Sequence, residues 1–391
     1  MGDTGVTRIR DIALASEVSE QELAWLTVVR PVTSHYSKTI ASRDFSGRTI
    51  LFWSHVLSDS MLIVPPLLKA GARVRIGACN PDSTDDRAAA WLAEKGAEVF
   101  ARSAMPEAEY RDNLRELAAG PADVLCDMGG ELTEAKASAG ATLMGGLEAT
   151  TTGLHRLRGM DLPFPVFNWN DIELKNRLHN RYHVGDSAWP VFTEITGMGL
   201  FGRAVLVIGF GPVGQGMAER ARAMGAIVSI VDPDPVRRLE AQHFGCQPVA
   251  LEDGLRRCSI IVTATGRSDI LGAQALSETR DGAVIFNVGH GNREIDVDWL
   301  DQHPCTAMRM HIARYELGDR CVYLLNRGSL LNLASGTAGH GGDLFDPFSA
   351  IMLRGIDWIL EGGAEGCPPG LQDFPRELEH EVAELTAKSR A

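Results

Sequence analysis

The five residues Ala204–Ile208 form a continuous apolar run that leads directly into Gly209-Phe-Gly-Pro-Val-Gly214, followed by a helical pattern through Met224. Nothing else in this 391-residue chain restricts its fold as tightly. Gly209 permits a tight turn, Gly211 lets the backbone approach a pyrophosphate, and Gly214 allows close helix–strand packing. Pro212 and Val213 open the helix, whose N-terminus offers unpaired N–H groups and a positive dipole end. The next apolar run, Ile227–Val231, ends in Asp232, about 20 residues on, where a carboxylate bonds a ribose 2′-OH. Strand, glycine turn, helix, strand and acid together make the dinucleotide-binding fingerprint. Asp232 would repel a 2′-phosphate, so the expected cofactor is NAD rather than NADP. Arg237 and Arg238 lie beyond the strand end and are expected to face solvent.

The rest of the chain alternates short apolar runs with helical patterns, which reads as parallel α/β. Strands are expected at Thr49–Trp53, Ala72–Ile76, Val124–Cys126 and Val166–Trp169, then at Ser259–Val262, Ala283–Phe286 and Val322–Leu325. The expected architecture is a Rossmann-type doubly wound NAD domain plus a second α/β domain that holds the substrate. Residues 1–180 form the first part of the substrate domain and 181–335 the NAD domain. Residues 336–365 return to the substrate domain, and 366–391 form a C-terminal helix. That helix carries Leu378, Val382 and Leu385 at helical spacing and is expected to serve packing.

Composition sets the partner classes. A net charge of −13 argues against nucleic acid and anionic membrane surfaces, whereas a nucleoside carries no phosphate and suits an acidic protein. The seven cysteines are scattered with no C-x-x-C pair, so neither a metal site nor a disulfide framework is expected. A reducing cytoplasm is the simplest setting. Met1–Ile12 has no apolar core of a signal peptide, and no apolar run reaches the roughly 20 residues that span a bilayer.

Several further motifs occur in a fixed order. They are Ser54-His55, Cys79-Asn-Pro-Asp-Ser-Thr84, Glu148-Ala-Thr-Thr-Thr-Gly153 and Phe164-Pro-Val-Phe-Asn-Trp-Asn-Asp-Ile-Glu-Leu-Lys175. After the fingerprint come Thr263-Ala-Thr-Gly266 and Asn287-Val-Gly-His-Gly-Asn-Arg-Glu-Ile-Asp296. With these the chain resembles the S-adenosylhomocysteine hydrolases from about Ile9 to the C-terminal helix. The resemblance implies an NAD enzyme without net redox: hydride leaves C3′ of a nucleoside, the 3′-ketone acidifies C4′–H, the 5′ group is eliminated, and hydride returns.

It also implies roles for individual residues. Lys175 matches the lysine that takes the 3′-OH proton, His55 the histidine near the 5′ leaving group, and His290 the one beside the nicotinamide. Asn180 matches an asparagine bridging cofactor and substrate, and Thr150, Thr151 and Thr152 match threonines contacting NAD. Thr265, Gly266, Val288 and Gly289 fall in the two later cofactor motifs. Asn332 and His340 resemble the pair that closes on the nucleoside, with Leu333–Gly339 one residue longer than usual. Asp59 resembles an adenine-side contact, and Glu131 and Glu148 are further substrate-side acids. A homo-oligomer, dimer or tetramer, is implied too, although the family's lysine- and tyrosine-bearing tail is missing after the last helix.

The departures are chemical. Where the family has Asp-Asp-Gly-Gly-Asp, this chain has Asp127-Met128-Gly129-Gly130-Glu131. The ribose-binding glutamate of Glu-Glu-Thr-Thr-Thr is Ala149, and the aspartate one turn after the lysine is His179. Leu57 and Asp59 stand for a threonine and a glutamate. Imidazole at 179, at i+4 from Lys175, removes a charge that would hold the lysine protonated, so His179 joins the catalytic set. Met128 and Leu57 make the 5′ end more apolar, and Ala149 leaves room for an extra sugar substituent. Three readings follow: dehydration of a modified adenine-type nucleoside, ordinary hydrolysis of S-adenosylhomocysteine, or a non-catalytic NAD-binding regulator.

Overall fold

The computed structural model describes residues 7–290, 292–334, 337 and 342–391, which divide into two compact units. The first takes in residues up to Lys175 and from Gly342 onward; the second spans Asn176–Gly341. The boundary therefore falls inside one helix, Leu174–His183.

In the first unit the described strands are β1 (Thr49–Ser54), β2 (Arg73–Ala78), β3 (Glu98–Phe100), β4 (Val124–Asp127), β5 (Gly145–Glu148), β6 (Pro165–Asn168) and a late strand, Gly370–Asp373. They form one parallel sheet in which the late strand lies beside β6 and the order continues β5, β4, β1, β2, β3. All six residues of β1 are buried, as expected of a central strand covered on both faces. Burying side chains such as Ile50 and Phe52 gives about 1.5–3 kcal/mol each. The strand order reverses direction between β1 and β4, and ligands of such sheets bind at the carboxyl ends of the strands flanking that reversal.

The second unit continues with β7 (Ala204–Ile208), β8 (Ile227–Val231), β9 (Gln247–Pro248), β10 (Ile260–Thr263), β11 (Ala283–Asn287), β12 (Cys305–Arg309), β13 (Ile312–Leu317) and β14 (Arg320–Leu325). Its sheet runs β12, β13, β14, β11, β10, β7, β8, β9. From β14 to β9 the neighbours are parallel, while β12–β13 and β13–β14 are antiparallel. Here the reversal falls between β7 and β10. The fold thus comprises a doubly wound Rossmann-type domain and a second α/β unit. The segment after 366 is more than a helix: Gly370–Asp373 extends the first unit's sheet before the helix Arg376–Ser389 begins.

Candidate active site

In the second unit the glycine turn follows β7 and the helix Pro212–Ala223 starts immediately after it. Gly209 has φ +94, and a Cβ there would lie 2.8 Å from the Ala264 carbonyl. A Cβ on Gly214 would collide with the Gly209 carbonyl, so both positions require glycine. Asp232 is 5% exposed. Its Oδ2 accepts the Phe210 N–H at 2.7 Å and its Oδ1 the Asp234 N–H at 2.9 Å, which ties the acid to the turn.

Arg237 faces solvent as expected and Arg238 is half-buried, yet both also reach the turn at Asp232. Arg237 Nη1 lies 3.5 Å from Asp232 Oδ2, and Arg238 Nη1 donates to the Asp232 carbonyl at 2.9 Å. A carboxylate at a strand end and a carbonyl beside it attract the nearest guanidinium groups, a pull that position along the chain does not reveal.

Across the reversal, the loop after β10 is clamped by a residue outside the expected site set, Glu294. Its carboxylate accepts Thr265 N–H at 3.0 Å, Thr265 Oγ1–H at 2.8 Å and Gly266 N–H at 2.7 Å. Burial pushes this carboxyl up, and the donors around it pull it back down. Asn287 does similar work after β11: it accepts Gly289 N–H at 2.7 Å and donates to Gly289 O at 2.9 Å, fixing the turn that carries Val288 and His290. Asn332 is 3% exposed, and its Oδ1 has no hydrogen-bond partner among the described residues. A buried amide oxygen of that kind is costly unless a ligand satisfies it. Glycine positions that admit no side chain, a buried acid at the second strand and an orphaned amide all fit a dinucleotide. His340 lies outside the described residues.

In the first unit, His55 follows β1. Its Nδ1 is 2.6 Å from Ser83 Oγ, and that hydroxyl donates its one proton to Asn80 O at 2.8 Å. The serine must therefore accept, which places a proton on Nδ1 and makes Nε2 the basic nitrogen. Leu57 (3% exposed), Met128 (8%) and Ala149 (1%) are all buried and apolar at the carboxyl ends of β1, β4 and β5. Glu131 accepts a hydrogen bond from Tyr110 Oη and another from Arg156 Nη2 at 3.3 Å.

Glu148, one of the acids expected on the substrate side, is fully buried. Its Oε1 accepts Thr150 N–H at 2.7 Å, Thr150 Oγ1–H at 2.6 Å and Gly129 N–H at 3.3 Å, so it positions two loops. Its cross-strand neighbour is Asp127, whose Oδ2 accepts Thr133 N–H at 2.7 Å and Oγ1–H at 2.8 Å. Burial raises both carboxyls; Asp127 raises Glu148 further, and Glu131 raises Asp127. Thr150 also caps the helix Thr151–Leu157, accepting Gly153 N–H at 2.9 Å, while Asn170 Nδ2 donates to Thr151 Oγ1 at 3.2 Å. Thr152 lies in the same short helix.

Lys175 stands in the first turn of a ten-residue π-helix, Leu174–His183, which also carries His179, Asn180 and His183. Such i→i+5 winding is rare and gathers at functional sites. The lysine Nζ lies 4.9 Å over the Phe348 ring, which stacks on Trp169 at 4.8 Å. Burial of the ammonium lowers the Lys175 pKa to about 7. His179 is 6% exposed and meets His183, 8% exposed, edge to face at 5.8 Å. His183 was not expected; a second imidazole four residues on was the visible signal. The helix Arg376–Ser389, expected only to pack, sends Glu379 Oε1 to accept the Leu174 N–H at 2.7 Å.

Known proteins resemble the chain along most of its length. The S-adenosyl-L-homocysteine hydrolase family matches residues 8–142, and its NAD binding domain matches residues 180–338. An S-inosyl-L-homocysteine hydrolase of Methanopyrus kandleri is 32% identical, over 98% of this chain and 93% of its own. One from Methanococcus maripaludis is 35% identical over 98% and 94%. An adenosylhomocysteinase of Archaeoglobus fulgidus is 34% identical over 89% and 88%. The cofactor is NAD, and the chain belongs to the S-adenosyl-L-homocysteine hydrolase family.

Proposed function

We propose that the protein removes the 5′ substituent of a modified adenine-type nucleoside, as water, by transient oxidation at C3′. The observation that carries this reading is Lys175, whose pKa near 7 makes it a usable base at neutral pH. Bound NAD supplies one thing, the capacity to take a hydride from a sugar carbon and return it. Gly209, Gly211, Pro212, Val213, Gly214, Asp232, Thr265, Gly266, Val288, Gly289 and Asn332 would hold it, and Thr150, Thr151, Thr152 and Asn180 are assigned to it by resemblance.

Lys175 Nζ takes the 3′-hydroxyl proton as the 3′-ketone forms. C4′–H, now next to a carbonyl, loses its proton to His55 Nε2, and the C5′–O bond breaks. The same nitrogen hands that proton to the departing oxygen, so water leaves. When hydride returns to C3′, Lys175 gives its proton back to the 3′-oxygen. The balance is nucleoside to 4′,5′-unsaturated nucleoside plus water, with no net redox. Apolar Leu57 and Met128 at the strand ends favour loss of the 5′ group over activation of an incoming nucleophile. His290 and Glu131 complete the assigned set. A cytoplasmic homo-oligomer is part of the same reading.

The relatives favour a second reading. Their names state hydrolysis of S-inosyl- and S-adenosylhomocysteine, a thioether at the same 5′ position. One experiment separates the two: incubation in deuterated water with adenosine, S-adenosylhomocysteine, S-inosylhomocysteine and C1′- or C2′-modified nucleosides, followed by mass spectrometry. Deuterium at C4′ with dehydration of a modified nucleoside and poor thioether cleavage supports the proposal. Efficient release of homocysteine establishes the hydrolase. No exchange with any compound sinks both and leaves a regulatory NAD-binding protein.

A further inference from the structure

Directly after β14 the chain takes a left-handed turn. Asn326 (φ +47), Arg327 (φ +49) and Gly328 (φ +75) follow one another with positive φ, and His311, in the turn between β12 and β13, has φ +65. Three of the five non-glycine residues with positive φ among the described residues thus sit on two turns that touch. L-residues enter this region singly and at a cost, and a run of them persists only where its surroundings over-determine it. Asn326, 5% exposed, does much of that work. Its N–H donates to His311 O at 2.9 Å, and its own carbonyl accepts Ser329 N–H at 2.9 Å. Its side-chain Nδ2 donates to Leu330 O at 3.0 Å, and its Oδ1 lies 3.0 Å from His311 Nδ1. An amide oxygen can only accept, so His311 Nδ1 carries the proton of that bond.

What Asn326 grips is the approach to Asn332. Leu330 forms a parallel bridge with Asn287, the last residue of β11, whose amide fixes Gly289 through both its N–H and its carbonyl. Ser329 Oγ donates to Asn292 Oδ1 at 2.7 Å, farther along the same loop. Two residues beyond Leu330 comes Asn332, with its buried, unpartnered Oδ1. The Asn326 amide therefore sets how the segment from Ser329 to Asn332 lies against the turn carrying Val288 and Gly289. A ligand-binding group displaced by about 1 Å forfeits much of its hydrogen bond.

We propose that Asn326 is a positioning residue for the cofactor: it holds the backbone of Leu330 against β11 and thereby aims Asn332 Oδ1 at the dinucleotide. Asn326 acts through Asn332 and does not touch NAD itself. This rests on the assignment of Asn332 to the cofactor and is independent of which reaction follows. Asparagine suits the position because it tolerates positive φ and offers a donor and an acceptor at once.

The test is the dissociation constant of NAD from the full chain, measured by equilibrium dialysis, with a thermal melt of each protein. The proteins are the wild type, Asn326→Gly, Asn326→Asp, Asn332→Ala and the double variant Asn326→Gly/Asn332→Ala. Glycine keeps the positive φ and removes the amide; aspartate keeps the acceptor towards His311 and loses the donor towards Leu330. We expect both to weaken NAD about tenfold, and Asn332→Ala to weaken it at least as much. The double variant should bind no worse than Asn332→Ala alone, because the first residue works through the second. Losses that multiply in the double variant overturn the proposal. So does an Asn326→Gly protein that melts lower yet binds NAD as tightly as the wild type. If Asn332→Ala leaves NAD binding untouched, the proposal falls, while deuterium exchange at C4′ would keep the redox-elimination reading standing. The expected NAD pattern without any C4′ exchange would establish the positioning role and remove that reading.

Discussion

Lys175 Nζ rests 4.9 Å from the centre of the Phe348 ring, so the base of the proposed reaction is held by an aromatic face. Two opposing effects act on this ammonium. Enclosure disfavours the charge, while the ring's quadrupole favours it by roughly 0.5–2 kcal/mol. Enclosure is the larger effect: it takes the pKa from 10.5 to about 7, more than the ring can restore.

The rate of C4′–H exchange should therefore rise about tenfold per pH unit below 7 and level off above it, as neutral Lys175 accumulates. Lys175→Arg should lose at least ~1000-fold, since a guanidinium stays protonated throughout. Phe348→Leu keeps the enclosure and loses the quadrupole, so the midpoint should fall by about half a unit. Rate–pH profiles of the three proteins check this; an unchanged midpoint in Phe348→Leu would remove the ring from the account.

The same burial has a stability sign. A lysine whose folded pKa lies below its unfolded value of 10.5 loses stability as pH falls from 10.5 towards 7, because the unfolded chain binds the proton first. Lys175→Met should thus raise the melting temperature more at pH 7 than at pH 10, while abolishing exchange. Differential scanning calorimetry at both pH values reads it directly.

The Asp127–Glu148 pair predicts the opposite slope. Acids whose folded pKa is raised stabilise at low pH, and that contribution is lost as pH climbs through the raised values. Glu148→Gln keeps an acceptor for Thr150 and Gly129 and carries no titrating proton. It should match the wild type near pH 5 and melt higher at pH 8. A Glu148→Gln melting curve parallel to the wild type across that range would show that Glu148 does not titrate there.

Glu294 should matter to NAD without touching the chemistry. Its carboxylate takes three donors from Thr265 and Gly266, and removing a buried charged acceptor costs about 1–3 kcal/mol. Glu294→Ala should weaken NAD retention about 10- to 100-fold, measured by dialysis and fluorescence titration, with Glu294→Gln in between.

The cofactor unit was largely legible in the sequence because its constraints are local. A turn that admits only glycine at 209 and 214 and an acid at the end of β8 need no distant partner to be recognised. The first unit was harder. Glu148 looked like a ligand-binding acid within its motif, and only the register that sets it beside Asp127 shows it turned inward. Arg30 Nη1 lies 3.4 Å from Ser349 Oγ across 319 positions, so nothing in either neighbourhood announces their meeting. The π-winding of Leu174–His183 was hidden for another reason: its residues are ordinary helix formers, and winding is settled by what packs around them.

Glu379 accepts the Leu174 N–H at 2.7 Å, which joins the last helix of the chain to the first turn of the helix bearing Lys175. On the ribosome those two residues are separated by 205 positions, and at ~5–20 residues per second the later one emerges more than ten seconds after the earlier. In that interval the whole of Asn176–Gly341 is available to fold as an uninterrupted block. The nascent chain can thus mature its dinucleotide cradle before the lysine of the proposed proton transfer receives the anchor that Glu379 provides.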